Sequence, residues 1–570
     1  MPIVADAPQL TYPVKQSVTV FVDAVLQGVG GFQMTMQRTE SEIIFSDDFN
    51  GSGPVNSSKW DYNHWRADDN PAFYNGTNVR QSLPLMSDGV MHLRLDTYHD
   101  GNRDYPQYAP SFLGNEAISL QTFSLDNGPL AFEARMKSDQ TQPGVVIGFF
   151  TFAGPRASHD EIDWELMSKR YDVAQSNPYH NEDLSEGHPQ DHDLPGGQGI
   201  YHDYRIEWYK GVVIWKIDGT IVRTETSIVP EKAMNLHFNI WGAPSNWVGV
   251  GDPSLTATRD PSQNRTFYAS VDSVQVERLA QSAGSAESEN LVGTSAGEHL
   301  FAGAGHDILH GGGGDDVLDG DDGYNAATYV GRAENFALSM DAAQRAVIVE
   351  DRSDAEGTDV VVNMHELRFA DQTIDLVPMI KAANADAADL GMIIDLYTSY
   401  LGRAPDAMGL YFWTSLLSDG VAIDDIAEQF FTAAEPGRFA GKSTAEIVDT
   451  AYREILGRAP DADGFSYWVD AVDSGRLNSE DIPLAFILSG RSGTAGTDGA
   501  ELIEKAEIAA YFALEKGLND GEGAKAVLDA TDFAAAKALA DLYAADAAGE
   551  NGQFVASLLG IDVADYTLAA

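Results

Sequence analysis

The sequence predicts a multidomain protein in which an all-β region precedes a region of short repeats and an all-α region. Residues 40–280 contain short runs rich in Val, Ile, Phe, Tyr and Trp that are separated by Gly, Pro, Asn and Asp, as in β-strands joined by turns. Residues 290–376 open with a nine-residue repeat. From about residue 385 the apolar positions follow a helical period among many Ala, Leu and acidic residues. The other predicted segments are an N-terminal extension (1–39), a Ser/Ala/Glu linker (281–289), the helical domain (385–547) and a C-terminal tail (548–570).

The composition limits the classes of partner. The 570 residues include 36 basic and 87 acidic residues, a formal charge of −51, which argues against binding nucleic acid or anionic lipid. Cysteine is absent, which excludes a disulfide framework and thiol catalysis. No apolar run approaches the roughly 20 residues that span a membrane, and residues 1–30 lack the cationic start and apolar run of a signal peptide. We therefore expect no nucleic-acid and no membrane partner, and any export signal must lie elsewhere.

Residues 157–167, Ala-Ser-His-Asp-Glu-Ile-Asp-Trp-Glu-Leu-Met, carry the strongest chemical signal. Successive strand residues point to opposite faces, so three carboxylates share one face with His159 and Met167, while the other face is apolar. The carboxylates are those of Glu161, Asp163 and Glu165, and the apolar residues are Ile162, Trp164 and Leu166. Stability alone does not favour three carboxylates on one face, because they repel each other and lose hydration.

Two ordinary explanations of this strand are weaker. A solvated acidic edge strand does not need so apolar an opposite face or the aromatic strand that precedes it. A calcium loop would need a Gly turn and further oxygen ligands nearby, and the sequence supplies neither.

Paired carboxylates suit retaining glycoside hydrolysis, in which one attacks the anomeric carbon and the other protonates the leaving oxygen. The reaction needs the two groups about 5 Å apart. Glu161 and Glu165 are four residues apart, roughly 13 Å along an extended strand, so long side chains and sheet curvature must close the gap. We predict that Glu161 is the nucleophile and Glu165 the acid/base. Asp163 would assist by hydrogen-bonding the nucleophile and raising the pKa of the acid.

The run Glu-Ile-Asp-Trp-Glu (161–165) resembles the signature of glycoside hydrolase family 16. The resemblance extends over residues 40–280 and implies a β-jelly roll with an open cleft. The single residue between Asp163 and Glu165 is the regular-strand form of lichenases and xyloglucan transglycosylases. By the same resemblance, the expected substrate-binding residues are Glu116, Phe150, Phe152, His159, Asn177, Tyr179, Asn239, Trp241 and Trp247.

The sequence departs from lichenases in an insertion at residues 180–198, which would reshape one end of the cleft. A metal site among His180, His188 and His192 is conceivable there, but a solvated loop is the favoured interpretation.

The nine-residue repeat places an acidic or amide residue and then an apolar residue in strict phase. Glu298, Asp307, Asp316 and Asn325 recur every nine positions, and Leu300, Leu309 and Leu318 follow the first three by two residues. This period is typical of calcium-binding β-rolls, in which Gly carbonyls and Asp carboxylates of adjacent turns hold Ca²⁺ and the Leu residues fill the interior. A flexible Gly linker would not keep this phase. The expected ligands of one to three structural calcium ions are Asp307, Asp316, Gly303, Gly305, Gly312, Gly314 and Asn325, and no cofactor is expected for catalysis.

The helical region contains an internal repeat. Residues 396–413 return at 451–468 with a shared Leu-Gly-Arg-Ala-Pro-Asp-Ala-x-Gly, in which Gly402 and Gly457 would end a helix and the following Pro would prevent its continuation. Trp413 and Trp468 would then be core residues of the next helices. The repeat resembles a family of unknown function that accompanies calcium-binding repeats in secreted bacterial proteins.

Together these observations predict a jelly-roll sandwich, then a calcium β-roll, then an all-α domain. The expected protein is a secreted, extracellular, retaining endo-β-glycanase that acts on a β-1,3/1,4-linked glucan or a bacterial exopolysaccharide. Its resemblance to proteins with nonapeptide repeats implies type I secretion machinery as a partner, with an uncleaved signal in the tail. Two alternatives remain open: a transglycosylase of the same family and a non-catalytic polysaccharide-binding matrix protein.

Overall fold

The computed structural model describes residues 37–561, except for gaps at 63–76, 102–109, 156, 183–186, 244, 343–345, 435–437, 440, 493–496 and 550–551. Most of the expected N-terminal extension and the end of the expected tail therefore lie outside the described residues. The strands up to residue 278 are β1 Gln37–Thr39, β2 Glu42–Asp47, β3 Gly53–Pro54, β4 Trp60–Asp61, β5 Thr77–Val79, β6 Leu85–Ser87, β7 Val90–Asp96, β8 Phe112–Gly114, β9 Glu116–Phe123, β10 Leu130–Ser138, β11 Val145–Ala153, β12 His159–Met167, β13 Val173–Glu182, β14 Gln190–Asp193, β15 His202–Tyr209, β16 Val212–Ile217, β17 Thr220–Glu225, β18 Met234–Gly242 and β19 Thr266–Arg278.

Strands β2 to β19 form a two-layered sandwich, as the sequence predicted. The first layer has the order β17-β16-β15-β10-β19-β7-β6-β3, with β2, β5 and β8 paired at its side. The second has the order β14-β13-β12-β11-β18-β9-β4. Alternate residues of both layers meet in one core whose largest members are aromatic. They include Trp60, Trp164, Trp208, Trp215, Phe132, Phe149 and Phe238.

The alternation of apolar and acidic residues along β12 agrees with this packing. Ile162, Trp164 and Leu166 are at most 1 % exposed and lie in the sandwich core. Trp215 from the first layer donates its indole N–H to the backbone carbonyl of Asp163 at 3.0 Å, which ties the two layers together at β12. The acidic residues of β12 are consequently on the outer face of the second layer.

The next strands form the repeat domain, defined here as residues 281–376. They are β20 Gln281–Ala283, β21 Asn290–Val292, β22 His299–Phe301, β23 Ala304–Gly305, β24 Ile308–His310, β25 Val317–Asp319, β26 Asp322–Gly323, β27 Ala326–Thr328, β28 Phe336–Asp341, β29 Val347–Asp351, β30 Thr358–Val362, β31 Glu366–Arg368 and β32 Thr373–Asp375.

Parallel strands of this domain stack with an 18-residue offset, so two repeats make one coil. Leu300 pairs with Leu318 in one sheet, and Leu291 pairs with Leu309 in the other. The leucines are fully buried between the two sheets. Successive turns stack so closely that a Cβ on Gly312, whose φ is +105°, would overlap the carbonyl oxygen of Thr294 in the preceding coil.

The expected linker 281–289 is in part a strand. Residues 281–283 pair with 299–301 on one side and with β1 on the other. A segment of low β-propensity becomes a strand here because two neighbouring edges offer it backbone hydrogen bonds. Arg38 on β1 also forms an ion pair with the buried carboxylate of Glu298, so the N-terminal strand belongs to the repeat domain.

The C-terminal region is helical, as predicted. Its elements are α1 Val377–Ala383, α2 Ala387–Leu396, a π-helical turn Tyr397–Leu401, α3 Ala407–Ser418, α4 Ile423–Ala433, α5 Thr444–Glu454, α6 Ala462–Asp473, α7 Ile482–Gly490, α8 Thr497–Ala510, a π-helical turn Tyr511–Glu515, α9 Gly521–Leu528, α10 Phe533–Ala547 and a last strand, β33 Val555–Leu559. Among the described residues, no helix is both long and apolar enough to cross a bilayer.

The internal repeat of this region is a helix–turn–helix unit. Gly402 and Gly457 have φ of +65° and +66°, the left-handed conformation that ends a helix, as predicted. Asp406 and Asp461 begin the next helices, and each accepts the N–H of the glycine three residues later. The following Trp413 and Trp468 are only partly buried and lie at the edges of two hydrophobic cores, because each core is filled by the neighbouring helices.

The three regions share buried surfaces. Tyr209, Val212 and Ile214 on the outer face of the first sandwich layer pack against Val317 and Val360 of the repeat domain. The leucines of the repeat domain belong to the same hydrophobic cluster as the first helices. In the expected tail, β33 pairs in parallel with β28 and completes that sheet.

Candidate active site

Three carboxylates lie in a row on the outer face of β12. They are those of Glu161, Asp163 and Glu165. Strand register places Glu161 between Phe152 of β11 and Tyr179 of β13. Glu165 is opposite Gly148, whose missing side chain leaves room for Asn239. A Cβ at Gly148 would come within 2.6 Å of the amide oxygen of Asn239.

The carboxylates differ in their tendency to ionise. Burial, followed by the charge of Glu161, raises the pKa of Glu165 to about 7. Burial, followed by the charges of Glu165 and Glu161, also raises the pKa of Asp163 well above its usual value. Near neutral pH this strand therefore keeps a protonated carboxyl beside Glu161, as acid/base chemistry requires. The proton belongs to the group of interacting carboxyls, because they titrate together.

Asp160 anchors the start of β12, a role that sequence reasoning missed. Its fully buried carboxylate accepts the backbone N–H groups of Asn181, Glu231 and Lys232 and the ammonium of Lys232 at 3.0 Å. These donors lower its pKa to about 2 against the effect of burial. The only sequence signal was an acidic residue on the apolar face of the strand.

Two histidines lie among the aromatic residues of this face. His159 stacks on Phe152, with ring centroids 5.4 Å apart, and His237 stacks on Phe150 at 4.8 Å. His237 also contacts Glu116, with 2.8 Å between Nδ1 and Oε1. Sequence reasoning did not single out His237. It is two residues from both Asn235 and Asn239 on β18, so it shares their face of the strand, and this spacing was the sequence signal that could have identified it.

Several predicted substrate residues border the carboxylates. Asn177 donates to the hydroxyl of Tyr179 at 2.9 Å and accepts the backbone N–H of His188. Trp241 and Trp247 stack with centroids 5.6 Å apart, and Trp247 is 39 % exposed. An exposed aromatic face of this kind is suited to a sugar ring.

Two predicted substrate residues are too deeply buried to contact a ligand directly. His159 is 0 % exposed and Glu116 is 1 % exposed, so neither side chain presents surface to a ligand. Phe152 and Tyr179 cover His159, and His237 covers Glu116. Both residues therefore lie on the outer face but beneath the side chains that cover them.

The histidines of the insertion have separate partners. His180 faces Asp160, His188 pairs with Glu182, and His192 contacts the hydroxyl of Ser176. Over the ranges that the structure describes, no group of three or more His, Asp or Glu side chains is arranged to hold a metal. A cation bound by the described residues would therefore need backbone carbonyls or other ligands besides these side chains.

The repeat domain contains buried carboxylates that lie beside backbone turns. Asp307 and Asp316 each accept, through Oδ1, a backbone N–H from the coil 18 residues earlier. Their Oδ2 atoms are buried without a hydrogen-bond partner among the described residues. Asn325 differs, because its oxygen accepts the N–H of Asp307 and its amide donates to the carbonyl of Gly320.

Three family models match separate parts of the chain. Glycosyl hydrolases family 16 matches residues 88–257, the RTX calcium-binding nonapeptide repeat (4 copies) matches 292–326, and a domain of unknown function (DUF4214) matches 427–491.

Curated relatives match part of the chain. The endo-1,3-1,4-beta-glycanase ExoK of Rhizobium meliloti (strain 1021) is 30 % identical over 167 residues, which is 28 % of this chain and 55 % of the relative. A beta-glucanase of Bacillus amyloliquefaciens is 30 % identical over 186 residues, 32 % of this chain and 70 % of the relative. The chain thus spans about half of the first relative and over two thirds of the second.

Solved structures also match part of the chain. A beta-1,3-1,4-glucanase (lichenase) derived from a mouse hindgut metagenome has 23 % identity and a TM-score of 0.34, and the match covers 42 % of this chain and 100 % of that one. A Bacillus licheniformis beta-glucanase has 25 % identity and a TM-score of 0.32, with coverage of 42 % and 97 %.

Proposed function

The chain belongs to family 16 of the glycosyl hydrolases, and from this premise we propose that it is a secreted retaining endo-β-glycanase. We assign the reaction to residues 40–280 and the substrate to the β-1,3/1,4-linked glucans or bacterial exopolysaccharides. The names of the matched relatives, an endo-1,3-1,4-beta-glycanase and a beta-glucanase, support this substrate class. The carboxylates of β12 support the type of reaction.

In the first step, the carboxylate of Glu161 attacks the anomeric carbon and the bond to the glycosidic oxygen breaks. Glu165 gives its proton to that oxygen. A pKa of about 7 suits this role, because the group is still protonated at neutral pH yet readily loses its proton. The products are a glycosyl ester on Glu161 and the released sugar.

In the second step, the roles of the carboxyls change. Ester formation removes the charge of Glu161, which is one of the causes of the raised pKa of Glu165. Glu165 is then a base that takes a proton from water as the water attacks the anomeric carbon. The ester bond breaks and Glu161 is ionised again. Two inversions give net retention.

Asp163 assists both steps in this proposal. Its raised pKa leaves a proton on the carboxyl, and in this proposal it donates a hydrogen bond to Glu161, one of its two acidic neighbours on the same strand face. The burial of Asp163 and the indole bond to its backbone hold it in place.

The observation that carries the proposal is one face of β12 that holds Glu161 together with a Glu165 whose pKa is about 7. A reducing-sugar assay on mixed-linkage glucan, laminarin, xyloglucan and succinoglycan tests it. Glu161→Gln should be inactive, and Glu42→Gln, an exposed residue of β2, is the matched control. Product sizing with excess oligosaccharide separates hydrolysis from transglycosylation. Binding without cleavage by the wild type would favour a matrix protein instead.

For the repeat domain we propose structural calcium. The orphaned, buried Oδ2 atoms of Asp307 and Asp316 fit a cation, and backbone carbonyls of the turns 303–307 and 312–316 would complete the ligand set. In the corresponding turns at 285–289 and 294–298, Ser285 and Thr294 instead donate hydrogen bonds to the carboxylates of Glu289 and Glu298. Asn325 is not included, because its side chain is bonded to protein.

Export by type I secretion is proposed from the nonapeptide repeats. A signal in the tail should be tested by removing residues 562–570 alone, since Tyr411 donates to the carbonyl of Ala556 and a longer deletion would disturb the sheet. The shortened enzyme should stay inside cells that carry a matching transporter. Unchanged export would contradict the C-terminal signal.

A further inference from the structure

The ring of His159 lies between a backbone carbonyl and a side-chain carboxylate. Its Nδ1 donates to the backbone carbonyl of Glu182 at 2.7 Å. Its Nε2 is 3.2 Å from Oε2 of Glu161. The ring is fully buried, and the side chain of Glu161 is 12 % exposed.

A carbonyl oxygen and a carboxylate cannot supply a proton, so each nitrogen of His159 needs its own. A neutral imidazole has one N–H and one lone pair. With Nδ1 protonated toward the carbonyl, a neutral ring would direct its Nε2 lone pair at an ionised carboxylate. A doubly protonated imidazolium would remove this repulsion and pair the charge of the largely buried Glu161.

Among the described residues around His159, the other ionisable side chains face partners of their own. From β11 the ring faces Phe152, and from β13 it faces Tyr179, with centroids 4.6 Å apart. Asp160 is occupied by Lys232 and backbone donors, and the carboxylate of Glu182 pairs with His188. His180 faces Asp160, and His237 lies beyond Phe152.

We propose that His159 is an imidazolium that positions Glu161 and holds it ionised, and that it is therefore a positioning residue for the nucleophile. This rests on the proposed function of Glu161. The cation favours the ionised carboxylate over the neutral glycosyl ester. It should consequently make Glu161 a better leaving group in the second step, when water displaces it from the anomeric carbon.

Protonation of His159 can be read without any activity. In full-length protein labelled with ¹⁵N-histidine, the His159 signals, assigned through Phe152 and Tyr179, should show two protonated nitrogens at pH 7. In Glu161→Gln, which removes the charge but keeps the shape, they should show a neutral ring. A neutral His159 in the wild type, or the same state in both proteins, would overturn the inference.

Kinetics give a second test. In His159→Gln, the second step should slow, so that the glycosyl ester accumulates from an activated aryl glycoside and a burst appears. Both kcat and KM should fall by about tenfold at pH 7, with little change in kcat/KM, and the acid limb of kcat/KM should move up by about one pH unit. A merely structural role would lower kcat/KM without a burst.

The matched control is His180→Gln, which removes a partly exposed histidine of β13 that faces Asp160. It should show no burst and an unshifted acid limb. If the wild type cleaves no glucan, the proposed function fails while the NMR measurement still tests the ion pair. If glucan is cleaved and His159 is neutral, only this inference fails.

Discussion

The ammonium of Lys232 lies 3.0 Å from the buried carboxylate of Asp160, and this contact fixes the start of β12 to the segment before β18. The backbone N–H groups of Glu231 and Lys232 bind the same carboxylate. The strands that carry the carboxylates and His237 are thus held in register at one end.

We expect Asp160→Asn to destabilise the sandwich by about 2–4 kcal/mol, because buried backbone donors and an ammonium lose a charged acceptor. Urea unfolding followed by tryptophan fluorescence measures this, with Asp126→Asn, an exposed position, as control. Since the pKa of Asp160 is lowered to about 2, its contribution is present above pH 4 and is lost as the pH falls toward 2. Equal stability of both variants at pH 7 would contradict the anchor.

The roles of the two glutamates predict different rescue by azide. Glu161→Ala should lose hydrolysis, and azide should yield the α-glycosyl azide by direct displacement. Glu165→Ala should retain cleavage of substrates with good leaving groups, and azide should speed it and yield the β-azide, since the anion needs no base. An NMR time course identifies the anomers. If the wild type released the α-anomer first, the assignment of these carboxylates would be wrong.

The raised pKa of Glu165 has a consequence for stability. A carboxyl whose folded-state pKa is raised from 4.5 to about 7 stabilises the fold below pH 4.5, and this contribution is lost as the pH rises through 7. Glu165→Gln cannot ionise. Its Tm should therefore exceed that of the wild type at pH 8 and match it at pH 4.5.

The same experiment on Glu42→Gln, at an exposed position, should show no difference between the two pH values. In the wild type, kcat/KM should also fall above about pH 7 as Glu165 loses the proton needed by the leaving group. If the Tm of Glu165→Gln exceeded that of the wild type by the same amount at pH 4.5 and pH 8, ionisation of Glu165 would not be the cause of the difference.

Calcium removal should affect more than the repeat domain. Chelation should unfold the coils around Asp307 and Asp316, and it should also lower the Tm of the sandwich, because Tyr209, Val212 and Ile214 pack against those coils. Circular dichroism and glucanase assays with and without chelator measure both effects. Asp316→Asn should reproduce the loss, whereas Asp322→Asn, an exposed residue, should not. Identical spectra with and without chelator would exclude structural calcium.

Patterns that repeat along the chain were readable from the sequence. The alternation at 157–167 predicted which side of β12 would be buried, because neighbouring side chains of any strand point to opposite faces. The nine-residue period predicted stacked turns, and the Gly-Arg-Ala-Pro-Asp motif predicted where helices end and begin. Each of these depends on local geometry, and local geometry is set by residues close together in sequence.

Relationships between distant strands were decided only by the tertiary structure. His159 was expected to touch substrate, but Phe152 and Tyr179 cover it, because β11 and β13 are its neighbours in the sheet. Glu116 meets His237, 121 residues later, only because β9 and β18 pair. The short strands at 281–283 and 555–559 have little intrinsic preference for the extended state, and they form because a neighbouring strand edge offers backbone hydrogen bonds that no local pattern reveals.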